Sequence, residues 1–481
     1  MAERGNGADY RLIQGQTLDM NKPAEIHDAG WLRKRFKRHS RELFRLAWPV
    51  MLSRLGIVVL IIVDTIMVGI YSTDALAYLN LGNSTFIMVV LVMAIGLLMG
   101  TLIHTSHAFG AGDYDECGRV FRRSLPYSIW IGLTCTVLLL PGEFYFTLAG
   151  QTPELAAEGG KVMTVLSFGL VGHLLYVNGI FFLEGLGRPK PAVVIMTVGN
   201  ILNLGLNYVL IFGKLGFPEM GAVGSAWATT ILRLLMGGAT VLYLFTSPTF
   251  HRYRLHSYRK EAWSSWRAQR EKGHAAGLSL GVEVVAFAAL TIFAGWIGKM
   301  ALAAYGVIFN IMTVPFMITA GLGAATAIRV GMAKGRGDAK DTALAGLTGF
   351  GLGVAVLLLS GAVIYLFDRE IFSFYTDDAA LILFSLPFIA FTAYVIFFDG
   401  LQMVLGNALR GLGETWIPTG IQTFVYVIIM TPLSYYLAIP LGRGVLGLLE
   451  AVLYASIVSV ALQGGHFLQR TRAAYPLIDK R

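Results

Sequence analysis

Apolar runs long enough to cross a lipid bilayer recur along this 481-residue chain, and no other feature limits its fold so strongly. A hydrocarbon core of about 30 Å takes roughly 20 helical residues at 1.5 Å each. Twelve candidate segments are read at 44–69, 77–103, 124–141, 161–183, 192–213, 221–246, 275–298, 302–328, 343–366, 379–405, 417–438 and 445–468, the third being the shortest. Only 14% of the residues are charged, against about 25% in a soluble domain. The length would suggest about three soluble domains, but the apolar runs overrule that reading. The expected class is an all-α integral membrane protein.

The net charge of +9 would suit a nucleic-acid partner, but its placement does not. "WLRKRFKRHSRELFR" before the first helix holds seven Lys and Arg. The excess continues in alternate loops: "VFRR", "RPK", "HRYRLHSYRKEAWSSWRAQREK", "RVGMAKGRGDAK" and the last residues. The positive-inside rule puts that side, both termini included, in the cytoplasm, and an even helix count agrees. No cleavable signal pattern precedes the first helix, which is its own targeting signal. Cys117 and Cys135 are too few for a disulfide framework and read as free thiols.

The chain repeats itself. Gly69 followed by "ALA" at 75–77 returns as Gly295 followed by "ALA" at 301–303; "GAGD" at 110–113 returns as "GRGD" at 335–338. "GLG" at 185–187 returns at 411–413, and "GAVG" at 221–224 as "GVLG" at 444–447. The order is kept and the offset barely changes. The expected organisation is a cytoplasmic tail (1–43), an N-lobe of six helices (44–246), a basic linker (247–274), a C-lobe of six helices (275–468) and a second tail (469–481). Six is even, so the lobes insert alike and are related by a pseudo-two-fold axis along the membrane normal. Such lobes enclose a central cleft that rocking exposes to either side, which is the plan of a secondary transporter.

Ionisable residues inside a membrane point to function. Three carboxylates stand out: Asp64 in "VVLIIVDTIMVG", Glu283 in "LSLGVEVVAFAALTIFAGW" and Asp399 in "FTAYVIFFDGLQMVLG". Helix rise places Glu283 about 12 Å and Asp399 about 9 Å from the cytoplasmic end, so the two can share an ion. Asp64 lies nearer the other side, in the other lobe. A carboxylate in low dielectric can carry a proton, and a carboxylate pair offers the hard oxygen ligands that suit a small cation such as Na+. Either ion would compete with a cationic substrate for the same negative charge. Asn200, Asn203 and Asn207 fall on one helical stripe and are candidate cleft-lining residues, as is Glu450; interhelical hydrogen bonding is the alternative. Arg54 is expected to snorkel to the interface, and Arg233 to counter an unidentified carboxylate. His104 and His107 lack a nearby acid or cysteine that would complete a metal site. Pro49 and Pro315 should kink their helices.

At "VDTIMVG", "EGLGRPKPAVVIMTVGNILNLGLNYVLIFG", "GAVGSAWATTILR" and "ALRGLGETWIP" the chain resembles the multidrug and toxic compound extrusion (MATE) transporters, over nearly everything beyond residue 40. It looks most like the NorM-type branch, which has acids at the positions of Asp64, Glu283 and Asp399, the last eleven residues before the arginine of "LRG", here Arg410. The resemblance implies two six-helix lobes and export of amphipathic organic cations coupled to Na+ or H+ entry. It also implies a cation site at Glu283 and Asp399 and a role for Asp64. "GLSLGVE" lacks the proline usual in that segment, and "GLGETW" carries Glu414 where an aspartate is more usual.

A lipid or lipid-linked oligosaccharide flippase of the same superfamily is the alternative. It would want a basic cleft, whereas the intramembrane charges here are mostly acidic. A membrane enzyme would want clustered catalytic residues and a donor motif; "GAGDYDE" and "GRGDAKD" read as helix turns instead. A channel would want a repeated filter segment. The expectation is therefore a non-enzymatic, cofactor-free, monomeric transporter of a bacterial inner membrane, with no nucleic-acid partner.

Overall fold

The computed structural model describes residues 29–83, 85–257, 261–375 and 378–472. The N-lobe comprises α1 (Ala29–Tyr71), α2 (Thr73–Gly82), α3 (Thr85–Leu97), α4 (Met99–Ala111), α5 (Tyr114–Leu139), α6 (Gly142–Leu148), α7 (Pro153–Phe168), α8 (Leu170–Gly185), α9 (Lys190–Ile211) and α10 (Gly221–Thr246). The C-lobe comprises α11 (Arg267–Ile297), α12 (Lys299–Gly335), α13 (Ala339–Leu366), α14 (Asp368–Ser373), α15 (Ala379–Gly411), α16 (Trp416–Thr423), a π-helical stretch (Phe424–Met430), α17 (Thr431–Ala438) and α18 (Gly444–Thr471). Among the described residues ten helices are long and apolar enough to cross a membrane, and twelve spans result if α5–α6, bent by 52°, and α7–α8, bent by 44°, each count once.

Several boundaries differ from the sequence reading. α1 starts at Ala29, so residues 29–43 are helical rather than a tail. The basic run is rich in Arg, Lys, Leu and Glu, all good helix formers with no breaker among them, and hydropathy alone sees only its apolar continuation. α11 likewise begins inside the expected linker. The 77–103 segment is divided: Ser72 caps α2, its Oγ accepting from the amides of Asp74 (3.1 Å) and Ala75 (3.2 Å), and α2 ends at Gly82 before α3 begins. The repeated glycines have a geometric cause. Gly112 and Gly337, Gly187 and Gly413, and Gly221 and Gly444 all take positive φ, between 54° and 80°, where a side chain would be strained. After the first of these pairs, Asp113 and Asp338 cap the next helices by accepting the amides of Glu116 (2.8 Å) and Asp341 (2.9 Å).

The lobes join at the end that carries the basic loops. Leu322, Ala325, Ile328 and Met332 of α12 are continuous with the N-lobe core. Backbones nearly touch there: a Cβ on Gly96 would lie 2.4 Å from Gly277 Cα, and one on Gly335 would lie 2.1 Å from the His107 carbonyl oxygen. Interlobe polar contacts gather at the same end. Asp341 at the start of α13 accepts from Arg38 (2.8 and 3.0 Å) and Arg35 and contacts His39 Nε2 (3.1 Å), while Arg329 pairs with Glu42. His107 Nε2 meets the Gly411 carbonyl at 2.7 Å. The linker leads into α11 along the N-lobe, with Trp263 and Trp266 edge-on to Tyr127 and Arg254 on Asp115 (3.2 Å). Gly96→Val should therefore destabilise the purified protein by about 1–3 kcal/mol through overpacking. Gly205→Ala, where a Cβ meets nothing within 4 Å, should be neutral or stabilise by up to ~1 kcal/mol. Thermal unfolding in one detergent checks both.

Candidate functional site

In the C-lobe, Asp399 is buried near the middle of α15. One helical turn on, Gln402 Nε2 donates to Asp399 Oδ1 (2.7 Å) and to the Tyr426 hydroxyl (2.8 Å). Ser456 of α18 donates to the same carboxylate oxygen at 3.3 Å. Tyr426 belongs to the π-helical stretch 424–430, a distortion that recurs at functional positions. Glu283 of α11 is buried one turn beyond Ser279, within electrostatic reach of Asp399 and Arg410. Arg410 is itself buried, donating to Ser279 Oγ and Gln422 Oε1, both at 3.0 Å. The fold thus brings Glu283 and Asp399 into one polar cluster, and the buried Gln402 Oε1 has no donor. Two carboxylates, an amide oxygen and hydroxyls form a hard-oxygen set that can receive a proton or a small cation.

In the N-lobe, Asp64 of α1 meets α9 and α10. Asn207 Nδ2 donates to its Oδ1 (2.6 Å) and Thr229 Oγ1 to its Oδ2 (2.9 Å). Asn207 also donates to Asn203 Oδ1 (3.2 Å), Asn203 interacts with Asp64 as well, and Arg233, one turn past Thr229, lies within electrostatic reach. Asn200 stands apart, its amide bonded to the carbonyls of Met196 (3.0 Å) and Gly56 (3.2 Å). Asn203 and Asn207 thus turn inward to a carboxylate, and their own exposure is negligible.

Among the described residues, none of these three acids has a Lys or Arg within 4.0 Å. Two other acids do. Glu450 is held by Arg443 (2.6 and 2.7 Å) near the start of α18, and Ser456 is the residue of that helix that reaches Asp399. Arg54, expected at the interface, instead lies 3.7 Å from the buried Glu184 and over the Phe181 ring. The sequence reading missed Glu184, Gln402, Tyr426, Ser279, Gln422, Ser456 and Thr229. Spacing carried a weak signal for some: Gln402 follows Asp399 by three residues and Ser279 precedes Glu283 by four, both on one helix face.

One family model, MatE, matches twice, over residues 49–209 and 275–436. The chain belongs to the MatE family. The two matches start 226 residues apart, the offset of the internal repeat. The chain is 36% identical over 435 residues to a probable multidrug resistance protein NorM of Caulobacter vibrioides, covering 90% of this chain and 91% of that one. It is 30% identical over 430 residues to the multidrug resistance protein PmpM of Pseudomonas aeruginosa, covering 87% and 88%. Its fold matches an outward-facing multidrug resistance MATE transporter of the MOP superfamily with TM-score 0.83 at 21% identity, covering 91% of this chain and 97% of that one. Twelve spans in two six-helix lobes are thus the MatE architecture of this chain.

Replacing Gln402 by Leu removes a donor from Asp399 and a partner from Tyr426. It should cost about 1–3 kcal/mol of stability, read as a lower melting temperature. Asn200→Ala should change it less, because the loss of its donor bonds to the Gly56 and Met196 carbonyls is offset by removing an Oδ1 that is buried and already unpaired.

Proposed function

We propose that this MatE-family protein is a secondary multidrug efflux transporter, exporting amphipathic organic cations by alternating access in exchange for entering Na+ or H+. The observation that carries the reading is the way Asp399 is held: buried and, among the described residues, bonded only to the neutral donors Gln402 and Ser456. An anion in low dielectric without a cationic partner is costly, and a proton or Na+ removes that cost. Glu283 and Asp399 would take the coupling ion, with Arg410 tuning the field. Asp64, held by Asn207 and Thr229, would serve the first lobe, its charge titrated or occupied during the cycle. Relatives bearing multidrug resistance names support the cargo class.

The arginines argue against an anionic cargo. Arg54 faces Glu184, Arg233 lies near Asp64, and Arg410 is bound by Ser279 and Gln422. None is left to hold a pyrophosphate, so the flippase reading gains no support. The acidic loops at 110–116 and 335–341 cap helices, which fits a transporter rather than an enzyme. With the basic end in the cytoplasm, the interlobe contacts at that end read as a conformation closed inward. The protein is read as a monomer of the bacterial inner membrane with both termini cytoplasmic.

Ethidium efflux from cells lacking their own pumps tests this. Wild type should export under one imposed gradient, of Na+ or of H+, and Asp399→Asn should lose that export at least tenfold at matched expression. Absence of efflux under both gradients from well-expressed protein overturns the cation-antiport reading. Asp64→Asn should also lose export; normal export by that variant would remove Asp64 from the mechanism.

A further inference from the structure

The part of α1 that precedes its apolar stretch has two faces with different partners. On the inner face Arg35, Arg38 and His39 engage Asp341 of the other lobe, Glu42 pairs with Arg329, and Leu43 and Leu46 enter the core. On the outer face Lys34, Lys37, Arg41 and Arg45 are exposed, and no described carboxylate pairs with any of them. Lys34, Lys37, Arg41, Phe44, Trp48 and Leu52 are spaced by three or four residues and so form one stripe. Phe44, Trp48 and Leu52 are 64%, 38% and 47% exposed. The stripe therefore runs from ammonium and guanidinium groups, through two aromatic rings, to an aliphatic side chain.

That gradation is the one met on passing from headgroups through the interfacial belt into hydrocarbon. Arg41 and Trp48 are about 10 Å apart along the axis, the scale of an interfacial layer. Four like charges at helical spacing repel one another, and among the described residues no carboxylate pairs with them. A polybasic segment beside a membrane span attracts anionic lipid, each charge near the surface adding about fivefold to affinity. The aromatic and aliphatic continuation favours a lipid over a soluble polyanion.

We propose that Lys34, Lys37, Arg41 and Arg45, with Phe44 and Trp48, bind the headgroups of anionic phospholipids at the basic end, and that this lipid holds the inner face of the helix on Asp341, favouring the conformation closed at that end. The bound anion neutralises the outer charges while Arg35 and His39, about 100° or more around the helix from Lys34 and Arg41, keep Asp341; Arg38, two turns before Arg45, lies on the border between the two faces. Lipid composition then sets the balance between the two lobe arrangements, independently of which substrate or ion is transported.

The test uses the full chain in nanodiscs of phosphatidylcholine alone or mixed with phosphatidylglycerol. It compares wild type with the combined variant Lys34→Gln, Lys37→Gln, Arg41→Gln and Arg45→Gln. Native mass spectrometry reads retained phosphatidylglycerol. Spin labels at Ala111→Cys and Ala339→Cys, exposed positions in opposite lobes at the basic end, read the interlobe distance after Cys117 and Cys135 are replaced by Ser. In wild type, phosphatidylglycerol should be retained and should enrich the short-distance population. The combined variant should retain it at least tenfold less and lose that enrichment. Asp341→Asn should keep the lipid yet lose the enrichment, a pattern that general misfolding does not give. Equal lipid retention by wild type and the combined variant overturns the site. Lost retention with an unchanged distance response overturns the coupling to closure.

Discussion

The cost of a charge in low dielectric organises this molecule. Every buried acid must be matched by a cation, a set of dipoles or a transient ion, and the protein sorts its acids between these solutions. Glu184 and Glu450 face arginines and Asp341 faces several basic groups, so their charges are internally compensated. Asp64, Glu283 and Asp399 are left to amides, hydroxyls and distant guanidinium groups. A permanent pair fixes a structure, whereas a carboxylate held only by dipoles leaves room for a charge that comes and goes. The helices are arranged to keep these two classes apart: the compensated acids lie toward the ends of the bundle or inside one lobe's packing, and the uncompensated ones lie where several spans converge.

The duplication explains why the lobes look alike and work differently. Both halves use a positive-φ glycine followed by an aspartate cap at the turn between the second and third spans, since that chemistry makes the turn. The residue three positions after the cap has diverged in its partners. Glu116 is bound by Arg119 and Arg123 of its own helix, while Asp341 reaches across to the other lobe. The same backbone solution became a local turn in one half and a bridge in the other. The acid sites diverged as well: Asp64 is served by asparagines and a threonine, and Asp399 by a glutamine, a serine and a tyrosine-bearing π-helical stretch.

Much of the architecture was legible because lipid imposes it. The apolar runs, the basic loops and the glycine repeat each follow from a bilayer or from a backbone requirement, and they gave the spans and the lobes, while helix rise placed Glu283 and Asp399 at a similar depth. What was not legible depended on partners across helices. Arg54 looked unpaired because Glu184 is distant in sequence, and Gln402 or Ser456 alone in an apolar helix cannot be told from ordinary interhelical glue. Helix ends were misjudged where amphipathic sequence continues a span past its apolar part, as at residues 29–43, or where a bend such as that between Phe168 and Leu170 divides one.

The glycine seam between the lobes has a thermodynamic corollary. At Gly96, Gly277 and Gly335 the lobes touch backbone to backbone, so parting there frees few side-chain rotamers and wets little apolar area. Such a contact has weak temperature dependence, because both the heat capacity of hydration and the rotamer entropy scale with the side chains involved. The joint as a whole rests on the ionic contacts beside the seam, which respond to ionic strength, and on the apolar packing of Leu322, Ala325, Ile328 and Met332. Salt, acting on those ionic contacts, and heat, acting on that apolar packing, are then separate variables for shifting the balance between the two lobe arrangements, and the glycine seam adds little to either.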